Sequence, residues 1–194
     1  MTEWNRTGGR GMKECYIFLA EGFEEIEALT VVDILRRDNI VIKTVSITDK
    51  KEVMGAHAIE VKADKVLKDI NLKDAALLVL PGGMPGTNNL KECEPLMDML
   101  RQFANTNRRI AAICAAPTIL GSMGLLEGKN ACCYPGMESA LTGANVSTEE
   151  VVTDGNITTS RGMGTAIPFA LELVRLFDSK TEAMALKRKI VFNH

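Results

Sequence analysis

The sequence predicts an α/β fold: a mostly parallel sheet with helices on both faces. Two observations carry this expectation. Short apolar runs alternate along the chain with longer segments of helical spacing, the order expected of βαβ units. Several runs are apolar at nearly every position rather than at every second one, as in strands covered on both sides.

Residues 15–20 (CYIFLA) form the first such run. From about residue 24 to 37, Ile26, Leu29, Val32 and Leu35 recur at helical spacing, with acids in the first turn and arginines in the last, a charge order that suits the helix dipole. Residues 41–47 alternate like a strand, and residues 53–66 suggest a hairpin or sheet-edge excursion turning at Met54-Gly55. Residues 74–80 (DAALLVL) give the strongest buried strand, ended by Pro81-Gly82-Gly83, and a helix is expected from about 89 to 105. Residues 109–114 (RIAAIC) predict another central strand. A helix over 116–126 follows, with Pro117 in its first turn, and then a strand over 129–134. Stretches 149–152 and 157–160 flank Asp154-Gly155-Asn156, a hairpin signal. Helices over 165–177 and 181–191 complete the pattern.

A chain of 194 residues suits one domain, since single cores stop growing only beyond ~250 residues. Residues 13–194 are expected to form it, with the polar, Gly-rich residues 1–12 as a disordered leader or tag. Lys and Arg total 23 against 25 Asp and Glu, so 23 − 25 = −2; without a basic excess, no nucleic-acid partner is expected. No apolar stretch reaches the ~18 residues of a membrane span, and the first residues lack a secretory signal, so a cytoplasmic location is expected. GGMPGT lacks the dinucleotide spacing, Gly162-Met163-Gly164 opens no βαβ unit, and no G-K-[ST] is present. No cofactor is therefore expected. The five cysteines show no C-x-x-C or zinc spacing, which argues against a metal site. In a reducing compartment most would serve as small buried hydrophobes, with adjacent Cys132 and Cys133 on opposite faces of a strand.

Cys114 differs from the others. An apolar strand runs straight into a helix, and Cys114 sits at the join between small residues. That arrangement parallels a nucleophile elbow, where a helix N-terminus would lower a thiol pKa from its free value of ~8.5. The local pattern fits equally well a core cysteine that ends a strand. The neighbouring Leu80-Pro81-Gly82-Gly83 favours the nucleophile, because its bare amides could face an oxyanion. A cysteine nucleophile usually borrows a histidine, but only His57, in the expected hairpin, and His194, the last residue, exist. A Cys-His-acid peptidase or amidase is thus a poor reading. The replacement is an acid from Glu21–Glu27: Glu27 lies four residues from both Phe23 and Val31, on the face packed toward the sheet. A Glu buried beside a thiolate should have a raised pKa and donate its proton to sulfur.

Five motifs in order make the chain resemble the ThiJ/PfpI superfamily, in the subgroup of the parkinsonism-associated deglycase and redox-sensor protein. They are E-G-x-E-E-x-E at Glu21–Glu27, D-x-L-R-R at Asp33–Arg37, L-P-G-G at Leu80–Gly83, A-A-I-C-A-A-P at Ala111–Pro117 and T-S-R-G-x-G-T at Thr159–Thr165. The resemblance spans about residues 13 to 190. It implies a flavodoxin-like three-layer sandwich, usually a homodimer, with Asp33 and Arg37 as interface residues. It also implies that Cys114 is the nucleophile, Glu27 its buried glutamate, and Gly82, Gly83 and Ala115 the positions whose amides line the pocket. Arg161 is expected to help organise the pocket or dimer. Where some members carry a histidine before proline, this chain has Tyr134-Pro135, so Tyr134 is expected to close that side of the pocket, and base-catalysed hydrolysis is put in doubt. Cys133 beside it is a candidate second thiol.

The resemblance implies a glyoxalase III or deglycase acting on a small aldehyde or a glycated substrate. Cys114 would add to the aldehyde carbon and Glu27 would shuttle the proton. The alternative is an oxidative-stress sensor or chaperone whose Cys114 is oxidised to sulfinate; ten methionines lend it weak support. A flavodoxin-like flavin or nucleotide binder is disfavoured by the missing phosphate cradle.

Overall fold

A computed structural model describes residues 14–193; the expected leader, with Lys13 and His194, lies outside the described residues. Each continuous apolar run became a central strand whose side chains divide between two cores. In β1 (Glu14–Leu19), Cys15, Ile17 and Leu19 enter one core while Tyr16 and Phe18 enter the other. β7 (Arg109–Ile113) divides in the same alternating way, as does β6 (Ala75–Leu80) from Leu77 onward. That two-sided burial is why the runs lack polar alternation.

The main sheet also contains β2 (Ile42–Ser46), β5 (Lys65–Val66), β10 (Val151–Asp154) and β11 (Ile157–Ser160). Its seven strands are ordered β10-β11-β7-β6-β1-β2-β5. Every neighbouring pair is parallel except β10 with β11, the expected hairpin. One face is covered by α1 (Glu25–Arg37), α5 (Ala166–Phe177) and α6 (Lys180–Lys189). The other is covered by α2 (Gly86–Glu92), α3 (Glu94–Asn105) and α4 (Pro117–Ser122). The order reverses at β1, which pairs with β2 on one side and β6 on the other. In open α/β sheets the crevice beyond the carboxyl ends at such a point is where sites form. Among the described residues no helix is long and apolar enough to cross a membrane.

Several expectations need correction. The helix expected over 89–105 is two helices that break at Cys93, whose ψ of 88° is not helical. Pro95, at the start of α3, supplies the reason, because a proline inside a continuous helix would clash with the carbonyl four residues earlier and could not donate to it, whereas the first turn of a new helix tolerates it. The helix after the elbow ends at Ser122, and Gly124 and Gly128 then turn the chain at positive φ. The strand expected over 129–134 shrinks to β8 (Asn130–Ala131), which pairs outside the main sheet with β9 (Asn145–Val146). Cys132 and Cys133 therefore lie beyond a strand, both buried. The 53–66 segment is both things expected of it: β3 (Glu52–Met54) and β4 (Glu60–Lys62) form a hairpin, and β5 adds an edge to β2.

Helix α1 has the expected bounds but a different facing. Ile26 and Leu29, half of the spacing that predicts it, are exposed. Its buried side carries Val31, Ile34, Leu35 and two carboxylates, Glu25 and Glu27. The last two matter at the site.

Candidate active site

Three consecutive carboxyl ends meet at the crevice. β1 leads into the Glu21–Glu24 loop and α1, β6 into Gly82 and Gly83, and β7 into Cys114. Cys114 adopts φ 65°, a left-handed conformation that costs a non-glycine residue about 1–2 kcal/mol. Two hydrogen bonds hold it there: its N–H donates to the Ser160 carbonyl (3.0 Å), and its carbonyl accepts from Tyr134 N–H (2.8 Å). Strain fixed from both neighbouring segments at the end of a buried strand is the form that functional backbone takes.

Glu27 is 1% exposed. Its Oε2 accepts the Gly82 N–H at 2.8 Å, while Oε1 is buried with no hydrogen-bond partner of normal geometry. The carboxyl also interacts directly with the Cys114 thiol. Burial pushes Glu27 up to about 7; Cys114 and the Gly82 amide oppose this shift, and the charge of Glu24 adds to it. Burial likewise pushes the Cys114 thiol up to about 12, reinforced by the charge and hydrogen bond of Glu27 and opposed by the amides of Ala115 and Gly83.

These shifts belong to one pair that cannot carry two charges in a dry site. Above about pH 7 the pair holds one proton. With that proton on Oε1, the carboxylate charge opposing the thiolate disappears, the orphaned oxygen becomes a donor to sulfur, and two amides already reach the sulfur. That tautomer is the nucleophilic one. The expected helix effect is corrected accordingly: α4 begins only at Pro117, and the donors at the sulfur are the loop amides of Gly83 and Ala115.

A second correction concerns Gly82. Its amide holds Glu27 and does not face an incoming oxyanion, which leaves Gly83 and Ala115 for that task. Tyr134 stands at the site through its backbone, with a half-exposed ring against Gly162. Arg161 is not brought to the sulfur. Its Nη1 donates to the Thr148 carbonyl, and its charge bears on Cys132 and Cys133, where burial nonetheless keeps both thiols raised. Cys133 packs in the core on the sheet face opposite to Cys114's and donates to the Tyr134 carbonyl, so it is no second thiol.

A family model matches residues 13–176, that of the DJ-1/PfpI family. The chain belongs to this family. It is 39% identical over 181 residues to protein DJ-1 homolog B of Arabidopsis thaliana, covering 92% of this chain and 41% of that protein. It is 33% identical over 181 residues to protein dj-1beta of Drosophila melanogaster, covering 92% and 97%. The chain thus spans less than half of the Arabidopsis homologs B and A (41% and 48%) but almost all of the fly protein. Oxidised DJ-1 of Toxoplasma gondii superposes with a TM-score of 0.89 at 30% identity, covering 93% of this chain and 99% of that one. The flavodoxin-like sandwich implied by the motifs is therefore the fold of this DJ-1/PfpI protein.

One further feature near the site was not legible in the sequence. His57, on the β3–β4 turn, donates its backbone N–H to Glu25 Oε1 (2.7 Å) and sets Nδ1 2.8 Å from Glu25 Oε2. Glu24 Oε2 lies 3.6 Å from the same nitrogen. The ligand atoms of Glu24, Glu25 and His57 fall within 4.8 Å of one another and could hold a cation. The positive end of α1 and His57 already answer these carboxylates, so the cluster reads as a clamp that ties the hairpin to the β1–α1 loop.

Proposed function

We propose that the protein is a cysteine-dependent enzyme of glyoxalase III or protein-deglycase type, acting on α-oxoaldehydes or their adducts from one domain over residues 13–194. The observation that carries this reading is Cys114, held at φ 65°, sharing a proton with buried Glu27. The Cys114 thiolate adds to the aldehyde carbon, the C–S bond forms, and the carbonyl π electrons move to oxygen. That oxygen takes the Glu27 proton, with the amides of Gly83 and Ala115 as stabilising donors. Glu27, now a carboxylate with its proton affinity raised toward neutrality, removes the former aldehyde proton and returns it to the adjacent carbon, while the hydroxyl proton passes from the oxygen on the sulfur-bearing carbon to the neighbouring oxygen, leaving a C=O beside sulfur. The resulting thioester is hydrolysed by water to a 2-hydroxy acid, and no external oxidant is needed. Cys114→Ala is expected to reduce methylglyoxal consumption to background with the circular dichroism spectrum intact. Unchanged turnover would overturn the reading.

A second reading is an oxidative-stress sensor. The observation favouring it is that Cys114 is partly accessible rather than sealed, beside amides suited to sulfinate oxygens and a carboxyl proton donor. Mass spectrometry after mild peroxide, finding sulfinate confined to Cys114 while methylglyoxal turnover stays at background, would favour sensing. A peptidase is disfavoured because His57 is engaged by Glu25. A homodimer in the cytoplasm fits the exposed stripe of α1, where Ile26, Leu29, Asp33 and Arg37 follow one another along the helix. Sedimentation of wild type and Leu29→Glu tests the association.

A further inference from the structure

Three large apolar side chains are exposed on segments that meet at Cys114: Met84 (53%), Tyr134 (51%) and Met163 (56%). Met84 directly follows Gly83, whose amide reaches the sulfur. The Tyr134 N–H binds the Cys114 carbonyl at 2.8 Å. Met163 directly follows Gly162, where an added β-carbon would stand 3.4 Å from the Tyr134 ring. Three separate loops bordering Cys114 thus each carry one large exposed apolar side chain. Large exposed apolar groups on loops that border a reactive group mark a surface suited to an apolar ligand.

The local charges complete the picture. Glu27 lies against the sulfur and Glu24 against Glu27, so the crevice is negative. The nearby cation, Arg161, bonds Thr148 and bears on Cys132 and Cys133 instead. An anionic substituent on the substrate would meet repulsion from these carboxylates.

We propose that Met84, Tyr134 and Met163 form a specificity rim that selects α-oxoaldehydes bearing an uncharged, apolar substituent, aryl or branched alkyl, over small polar or carboxylate-bearing ones. This rests on the reading of Cys114 as a nucleophile toward α-oxoaldehydes. The reacting aldehyde sits at the sulfur while its substituent lies against the two thioethers and the ring, where flexible methionines adapt to shape and favour aromatic contact.

The test compares kcat/KM for phenylglyoxal, methylglyoxal and 4-carboxyphenylglyoxal, the last an α-oxoaldehyde that carries a carboxylate. Wild type is expected to favour phenylglyoxal over methylglyoxal by about ten-fold, the scale of modest added apolar contact, and 4-carboxyphenylglyoxal is expected to be the poorest. Met84→Ala and Met163→Ala should each shrink the phenylglyoxal-to-methylglyoxal ratio several-fold, mainly through KM. Met84→Lys should shift preference toward 4-carboxyphenylglyoxal, a change that mere loosening of the fold would not produce. Methylglyoxal consumption with a ratio near one, or a ratio unmoved by both alanine variants, overturns the rim while leaving the reaction in place. Failure of wild type on all three aldehydes overturns the rim together with the function on which it rests.

Discussion

Gly82 and Cys114 are in such close contact that a β-carbon on Gly82 would fall 2.6 Å from Cys114 Cβ and 3.0 Å from its sulfur. The same atom would stand 2.7 Å from Glu27 Oε2. Glycine is needed here to let the thiol and the carboxyl meet over bare backbone, rather than to open an unusual dihedral angle.

Gly82→Ala should therefore push Cys114 and Glu27 apart. Displacement of reacting groups by about an ångström costs on the order of a hundred-fold in rate, and overpacking costs roughly 1–3 kcal/mol of stability. Methylglyoxal turnover and thermal melting measure the two losses. Full activity in this variant would contradict the geometry.

Glu27→Gln separates the proton from the pair. Gln removes both the charge and the hydrogen bond of Glu27 that raise the Cys114 thiol, so iodoacetamide should alkylate Cys114 faster at pH 7 in this variant, while methylglyoxal turnover, which needs a proton that an amide cannot carry, should fall to background. The folded state raises Glu27 from 4.5 to about 7, so it binds the extra proton between those values. This group's favourable contribution is complete below pH 4.5 and is lost as pH rises through about 7, worth at most about 3 kcal/mol at ~1.36 kcal/mol per pKa unit. Chemical denaturation from pH 5 to 8 should show that slope in wild type and a flatter one in Glu27→Gln. Equal slopes would argue that the carboxyl is not desolvated.

The His57–Glu25 clamp has its own pH window. The hydrogen bond to Glu25 leads the charges of Glu24 and Glu25 in raising His57 above 6.5. Burial works against ionisation of Glu25, but its bonds to His57 prevail and the net shift is downward from 4.5. The histidine's contribution is complete below pH 6.5 and lost as pH rises through its folded value, and the carboxylate's is complete above 4.5 and lost on acidification. The clamp is thus strongest between about pH 4.5 and 6.5. NMR titration should place His57 above 6.5 in wild type and lower it in Glu25→Gln; an unchanged midpoint would rule the pairing out.

Much of the architecture was legible because it is written in local patterns. The central strands announced themselves as two-sided apolar runs, and the elbow appeared as RIAAIC followed by Ala115-Ala116-Pro117. The break at Cys93 was also written, in Pro95, but the apolar spacing of the flanking residues masked it. The facing of α1 was only half legible. Ile26 and Leu29 have the spacing of core residues, yet Glu25 and Glu27 are the buried side chains. Periodicity records which residues share a face, not what lies opposite that face.

Residues 14–193, read as sequence alone, determined the succession of strands and helices, the family, and the pairing of a turn cysteine with one glutamate. Local sterics and apolar spacing act over a few residues, so they survive in a linear text. Only the tertiary structure decided that the Gly82 amide grips Glu27 from 55 residues away, that His57 clamps Glu25 across 32, and that Arg161 turns away from the sulfur. Those contacts depend on which strands become neighbours at the reversal of the sheet order, and on which groups burial deprives of water. Neither quantity is a property of any short stretch of chain.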